Sequence, residues 1–211
     1  SPQLFDKAAE VALLRLHDFN SQNLANTVWA YAVSNFPSNV EFGTHPELVN
    51  LIVSSVDNFD EKELFQLHQW NLWVREKIGK SLLPLHVSAH CLKIFSSSRF
   101  SYSILQSDVA RALHSTGVAF KEDAILNSGY RIDLLVSIGE KEIVIEVDGP
   151  SHFIGRSKKQ NGKTMLKHRQ IRALDNLKVI SVPYWEWNAI KEDLKGDKLK
   201  GQAKYLKKLL E

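Results

Sequence analysis

Three carboxylates fall close together in the run YRIDLLVSIGEKEIVIEVDGPSHF, residues 130–153. Two segments of strong β-character, Tyr130–Ile138 and Lys141–Val147, flank the dipeptide Gly139-Glu140. A two-residue link led by glycine suits a hairpin, because glycine adopts the positive φ of a primed turn without steric cost. With that turn, Asp133 faces Glu146 and Arg131 faces Asp148. Side chains alternate along a strand, so Asp133, Glu146 and Asp148 share one face. Ile132, Leu134, Val136 and Ile138 take the other, with Ile143, Ile145 and Val147. Like charges opposed across a hairpin destabilise it. Two arrangements would relieve them. One is a divalent cation such as Mg²⁺ held by Asp133, Glu146 and Asp148. In the other, Arg131 neutralises Asp148 while Asp133 and Glu146 accept from backbone amides of the Gly149-Pro150-Ser151 turn.

Downstream lies a cationic crossover. A loop over Ile154–Lys163 leads to a predicted helix over Thr164–Leu174, capped by Thr164, and then to a buried strand over Lys178–Tyr184. Strand, helix and strand in one sheet predict a parallel pair. Arg156, Lys158, Lys159, Lys163, Lys167, Arg169 and Arg172 follow one another with no acid before Asp175. Such a run suits phosphate oxygens, whose contacts supply affinity rather than base choice; the competing reading is a solvated, mobile loop. His152, just past the strand, suits either a proton shuttle or a bond to a backbone carbonyl, and it joins the candidate RNA-contacting set. Tyr184, Trp185 and Trp187 close the last strand, either stacking on bases or sealing the core.

The phrase IEVDGPSHF, with YRID before it and KHRQIRAL and VISVPYWEW after it, resembles the RAP domain, a module of organellar RNA-binding proteins. The resemblance covers about the last half of the chain. It implies a restriction-endonuclease-like fold of PD-(D/E)xK type: a mixed sheet with flanking helices. Asp133 and Glu146 match that pattern's two acidic positions, and Asp148 stands where its lysine belongs. Lys167 on the crossover helix is the one candidate to replace it. A catalytic set would therefore be Asp133, Glu146, Asp148 and Lys167, with Mg²⁺ as cofactor; a binding module would require no cofactor.

Length and charge bound these readings. The chain has 211 residues, 44% of them hydrophobic and 24% charged, which suits one large domain or two small ones. No run of eighteen or more apolar residues occurs, so no membrane partner is expected. The first residues carry no leader pattern, and any targeting segment is expected outside this sequence. Cys91 stands alone and is expected as a buried, inert thiol. Residues 1–98 hold seven Lys and Arg against ten Asp and Glu, a balance of −3. Residues 99–211 hold twenty against fourteen, a balance of +6, which points to a polyanionic partner.

The N-terminal part reads as helical repeats. Leu4, Ala8, Val11, Ala12, Leu14 and Leu16 fit one helix and Leu24, Val28 and Ala32 a second, capped by Ser21. The signal Asp18-Phe19-Asn20 with Leu24 recurs as Asn58-Phe59-Asp60 with Leu64. A helix pair at that period is an α-solenoid signature, and FNSQNLANTVWAYAV resembles octotricopeptide and FAST-kinase-like repeats. Asn26, Thr27 and Trp29 then either contact bases or pack between helices, and His68, Trp70 and Trp73 carry the same two readings, with core packing as the default. The polar break Ser96-Ser97-Ser98-Arg99 separates residues 1–98 from an α/β domain over 99–211, whose core is about 103–190 and whose tail from Lys191 is a lysine-rich helix. The fold expected is thus an α-helical repeat segment followed by α/β. The function expected is RNA binding in organellar gene expression, on rRNA or a transcript. The resemblance, not any residue pattern, implies a mitochondrial place, with the plastid as alternative. The rivals are a metal-dependent endoribonuclease and a ribosome-associated module that docks on ribosomal proteins.

Overall fold

Helix α1 (Pro2–Leu14) runs into a 3-10 turn over Leu16–Asp18, and Asn20 then caps α2 (Ser21–Ser34). The Asn20 side chain accepts from the Asn23 N–H at 2.8 Å, and the Asn23 side chain accepts from the Asn20 N–H. After a short α3 (Asn39–Gly43) the same device repeats. Helix α4 (Pro46–Ser54) leads to a 3-10 turn over Val56–Asn58, and Asp60 caps α5 (Glu61–Ile78) through a reciprocal box with Glu63. A polar residue that satisfies the free N–H groups of a first turn fixes where that helix begins. The sequence repeat is therefore also a backbone repeat. Its two copies are tied together at equivalent positions: Gln66 Nε2 donates to Asn26 Oδ1 at 2.9 Å, and Trp29 Nε1 donates to Gln69 Oε1 at 2.7 Å, each pair forty residues apart.

The computed structural model describes residues 1–37, 39–97, 103–155, 157–193 and 198–211. Its contacts divide the chain into Ser1–Ser98 and Arg99–Glu211. Part of the polar break, Ser98 and Arg99, lies outside the described residues, as do Arg156 and residues 194–197 of the lysine-rich tail.

In the first unit, Trp70 and Trp73 on α5 are fully buried. Trp70 Nε1 donates to the Gly43 carbonyl at 3.0 Å. The Trp73 ring lies so close that a Cβ on Gly43 would meet it at 2.5 Å. His68 packs on Phe95 of α6 (Leu85–Ser96), and Cys91 is buried there, its thiol pushed up to about 11 by burial. The inward face of α1 differs from expectation. Leu4, Val11 and Leu14 are 67%, 55% and 80% exposed, while Ala12 and Leu16 are buried. The Phe5 ring decides the rotation, because it packs edge-on against Tyr31 and Phe36 at 5.1 and 5.5 Å.

The second unit opens with α7 (Ile104–His114), capped by Ser103 in a box with Gln106. Strands β1 (Ala119–Ile125), β2 (Arg131–Ile138) and β3 (Lys141–Asp148) form an antiparallel meander, and β4 (Lys178–Pro183) pairs parallel to β3. Leu134 pairs with Ile145 and Ile138 with Lys141, so the Gly139-Glu140 turn sets the expected register. Between β3 and β4 lies α8 (Gly162–Gln170), followed by a π-helical turn over Ile171–Asp175. Its cap is Asn161, which accepts from Thr164 N–H, so the helix starts ahead of the expected Thr164. Tyr184, Trp185 and Trp187 do not end a strand: they form the first turn of α9 (Tyr184–Asp193), which follows β4 directly. Helix α10 (Lys198–Leu210) completes the unit. One sheet face packs Leu134, Val136, Ile143, Ile145, Val147, Ile180 and Val182 against α7, Trp187 and Leu206. The opposite face carries the carboxylates.

Candidate nucleic-acid interface

Asp133, Glu146 and Asp148 do share a face, and each is held by different partners. The β2–β3 ladder stops at the Leu134–Ile145 pair. Beyond it, Asp133 turns its side chain inward, taking the Val147 N–H at 2.7 Å on Oδ2 and a short bond from Gln106 Nε2 on Oδ1. Burial pushes its carboxyl up, against Lys167 and these two donors. Glu146 is 1% exposed, and its Oε2 lies 2.6 Å from Lys167 Nζ on α8. Burial, with Asp133 and Asp148 adding to it, pushes Glu146 up to about 7 although Lys167 opposes the shift.

Asp148 ends β3 fully buried. His152 Nδ1 lies 2.8 Å from its Oδ1, Gln160 Nε2 donates to Oδ2 at 2.9 Å, and Ser181 Oγ donates a short bond to Oδ2. Burial works to raise Asp148, but the bonds from His152 and Ser181 outweigh it and hold the carboxyl below its ordinary range. The bond to Asp148 raises His152 in turn, against desolvation. His168, buried on α8, is pushed down to about 4, first by burial.

Two expectations change with this geometry. Arg131 does not neutralise Asp148: it pairs with Asp123 of β1 at 2.8 Å, because Asp123 turns into the left-handed region beside it. His152 meets a carboxylate rather than a backbone carbonyl. Among the described residues no three His, Cys, Asp or Glu side chains converge as metal ligands. Protein donors reach both oxygens of Asp133, one of Glu146 and Oδ2 of Asp148, while His152 lies beside Asp148 Oδ1 and Glu146 Oε1 is buried with no hydrogen-bond partner.

The cations divide by role. Lys167 is spent on Glu146, and Arg172 donates to the Val179 carbonyl at 3.1 Å. Arg169 is half-buried with an interaction of its own. Lys158, Lys159 and Lys163 are exposed. The loop that carries Lys158 and Lys159 is a hydrogen-bonded ribbon: Phe153 bridges to Gln160, Ile154 N donates to Lys159 O, and Asn161 N donates to His152 O. Phe153, Tyr184 and Trp185 form an aromatic cluster beside it, with Phe153 and Trp185 ring centroids 4.3 Å apart. Because β3 and β4 are parallel, His152, this ribbon and the Tyr184-Trp185 turn all follow the carboxyl ends of adjacent strands, where ligand crevices form in open α/β sheets. In the first unit Asn26 and Trp29 are bonded to Gln66 and Gln69, so they act between helices.

Gln106, Gln160 and Ser181 had no signal in the sequence, since a neutral polar residue on a helix, loop or strand is unremarkable until the fold brings it to a charge. No helix among the described residues is long and apolar enough to cross a membrane.

Comparison with known proteins bears on the same region. The chain is 24% identical over 209 residues to a RAP domain-containing protein, chloroplastic, of Oryza sativa subsp. japonica, a match covering 92% of this chain and 30% of that relative. The chain thus spans less than a third of the relative's length. The family model described as RAP domain matches residues 145–209, from the middle of β3 through α10. Asp133 and Gln106 lie outside that match, whereas Glu146, Asp148, His152, the lysine ribbon and Trp185 lie within it. Residues 145–209, which hold the cationic ribbon and the buried ion pairs, match the RAP domain, a module generally associated with RNA binding.

Proposed function

We propose that this chain binds RNA in organellar gene expression, on rRNA or a transcript, through the ribbon and helix between β3 and β4. One observation carries the reading: the RAP match coincides with a segment, residues 149–174, that contains no Asp or Glu and exposes Lys158, Lys159 and Lys163. The word chloroplastic in the relative's name supports the plastid alternative over the mitochondrial expectation. Transcript processing and ribosome assembly are the settings this reading covers.

Neutralised phosphates release counterions, so affinity should fall steeply with salt. Fluorescence anisotropy with a single-stranded RNA should show Kd rising by tenfold or more between about 50 and 200 mM salt. Charge reversal of Lys158, Lys159 and Lys163 together should weaken binding and flatten the log–log slope by about 2, from roughly 0.7 per phosphate contact. Binding that ignores salt, or no binding at all, would refute the proposal.

A metal-dependent endoribonuclease is favoured by a single feature, Lys167 at 2.6 Å from Glu146 with Asp133 on the neighbouring strand. The engaged carboxylates oppose it. RNA cleavage by pure protein in Mg²⁺, abolished by Asp133→Ala, would establish that reading over the first.

A further inference from the structure

The ring cluster at the carboxyl ends of β3 and β4 separates three aromatic residues of one short run by what covers them. Trp187 is fully buried against the sheet and belongs to the core. Tyr184 and Trp185 are only partly buried, and their rings meet Phe153 and each other rather than the sheet core. Phe153 and Tyr184 each make a T-shaped contact with Trp185, at 63° and 79° between ring planes, and hold the indole in place. What stands over the indole face is a side chain that can leave: Lys158 Nζ, 5.7 Å from the ring centroid. The neighbouring Lys159 and Ile154 are exposed, the latter by 58%.

We propose that Trp185 is a stacking platform for one unpaired RNA base, and that Lys158 swings from the indole face to the phosphate beside that base. The proposal rests on the RNA-binding reading and names the form of RNA: single-stranded, because a base in a duplex has no free face to offer. Every base has a π-face, so such a platform tolerates sequence while demanding an unpaired nucleotide. Charge selects the occupant. An apolar or proline-rich peptide would also suit an aromatic surface, but it would not use a lysine on the ring and a second beside it in a segment without acids. A nucleotide uses both, the base on the indole and the phosphate on the ammonium. Phe153 holds the ring before the ligand arrives, so little ordering remains to be done on binding.

The test uses the full chain and fluorescence anisotropy with a labelled single-stranded RNA of mixed sequence, the same RNA with one abasic site moved along it, and the matching duplex. In the unaltered chain an abasic site at one position should cost about tenfold in Kd, and the duplex should bind more weakly than the single strand. Trp185→Leu should cost about the same tenfold with the salt slope unchanged, and should lose all sensitivity to the abasic position. Trp185→Phe, which keeps a ring, should restore most of the loss. Lys158→Gln should reduce the salt slope by about 0.7. Equal affinity for intact and abasic RNA in the unaltered chain would overturn the proposal, and that measurement needs no variant to fold. So would a Trp185→Leu chain that binds like the original. If the unaltered chain shows no salt-dependent RNA binding, the RNA reading falls as well. If it binds and only the abasic scan is flat, the platform alone is wrong.

Discussion

Asp148 has no exposed surface, yet its carboxyl is held below its ordinary range. Burial alone would neutralise it, so its charge depends on donors, of which His152 is the one that titrates. The sign of the pH effect follows from the two shifts. Asp148, lowered, contributes stability that is present above the ordinary value of 3.8 and lost as pH falls through its folded value. His152, raised, contributes fully below 6.5, and its contribution is lost as pH rises through the raised folded value. Replacing His152 by Gln should cost about 1 kcal/mol near pH 5, a charged hydrogen bond discounted for an imidazole 38% exposed. In urea unfolding that gap should narrow at pH 9. Glu146, pushed up to about 7, also faces His152 and helps to raise it, so the two proteins are compared at pH 5 and pH 9, on either side of that value. A gap equally wide at both pH values would mean that His152 acts by packing alone. The register that brings Asp133 near Glu146 was legible in sequence because a two-residue turn fixes it, although the ladder itself ends one pair short, at Leu134 and Ile145. The partners of Asp148 were not, since His152, Gln160 and Ser181 reach it from a turn, a ribbon and a parallel strand whose meeting no local pattern encodes.

Elements were most legible where a cap and an apolar period agreed, and boundaries slipped where two capping residues competed. Asn20 and Ser21 can both cap α2, and Asn161 and Thr164 can both cap α8. Asn161 wins because its position is fixed twice over: its N–H donates to the His152 carbonyl and its Nδ2 donates to the Ser151 carbonyl at 2.7 Å. Asn161→Ala should therefore cost about 1 kcal/mol in thermal or urea unfolding. It should also weaken RNA binding, because the cap anchors the ribbon that presents Lys158. The period of the N-terminal repeat was legible, but the rotation of α1 was not. Six apolar positions allowed two faces, and Phe5 chose the one that left Leu4, Val11 and Leu14 outside. Gly43 was equally silent in sequence. Its missing Cβ admits the Trp73 ring, a fully buried group that cannot retreat. Gly43→Ala should overpack that contact and destabilise the chain by about 1–3 kcal/mol, seen as a lower Tm. An unchanged Tm would show that α3 yields at no cost.

At the scale of the whole chain, charge and architecture divide at the same place. Ser1–Ser98 carries −3 and Arg99–Glu211 carries +6, and the division by contacts falls at that same boundary. A polyanion meets opposite fields on the two units, repelled by one and drawn to the other, and only the second unit has the exposed lysine ribbon. The helical unit, by contrast, spends its candidate base-reading residues on bonds between its own copies, Asn26 with Gln66 and Trp29 with Gln69. Affinity should therefore reside in the second unit. A fragment of residues 99–211 should keep the salt slope of the full chain and a Kd within about threefold of it, whereas residues 1–98 should bind at least a hundredfold more weakly at about 100 mM salt. Titrations of the two fragments with the same single-stranded RNA decide the matter. If the helical fragment bound as tightly as the full chain, its surface would have to be reading bases despite its net charge, and the ribbon between β3 and β4 would lose its claim as the main contact.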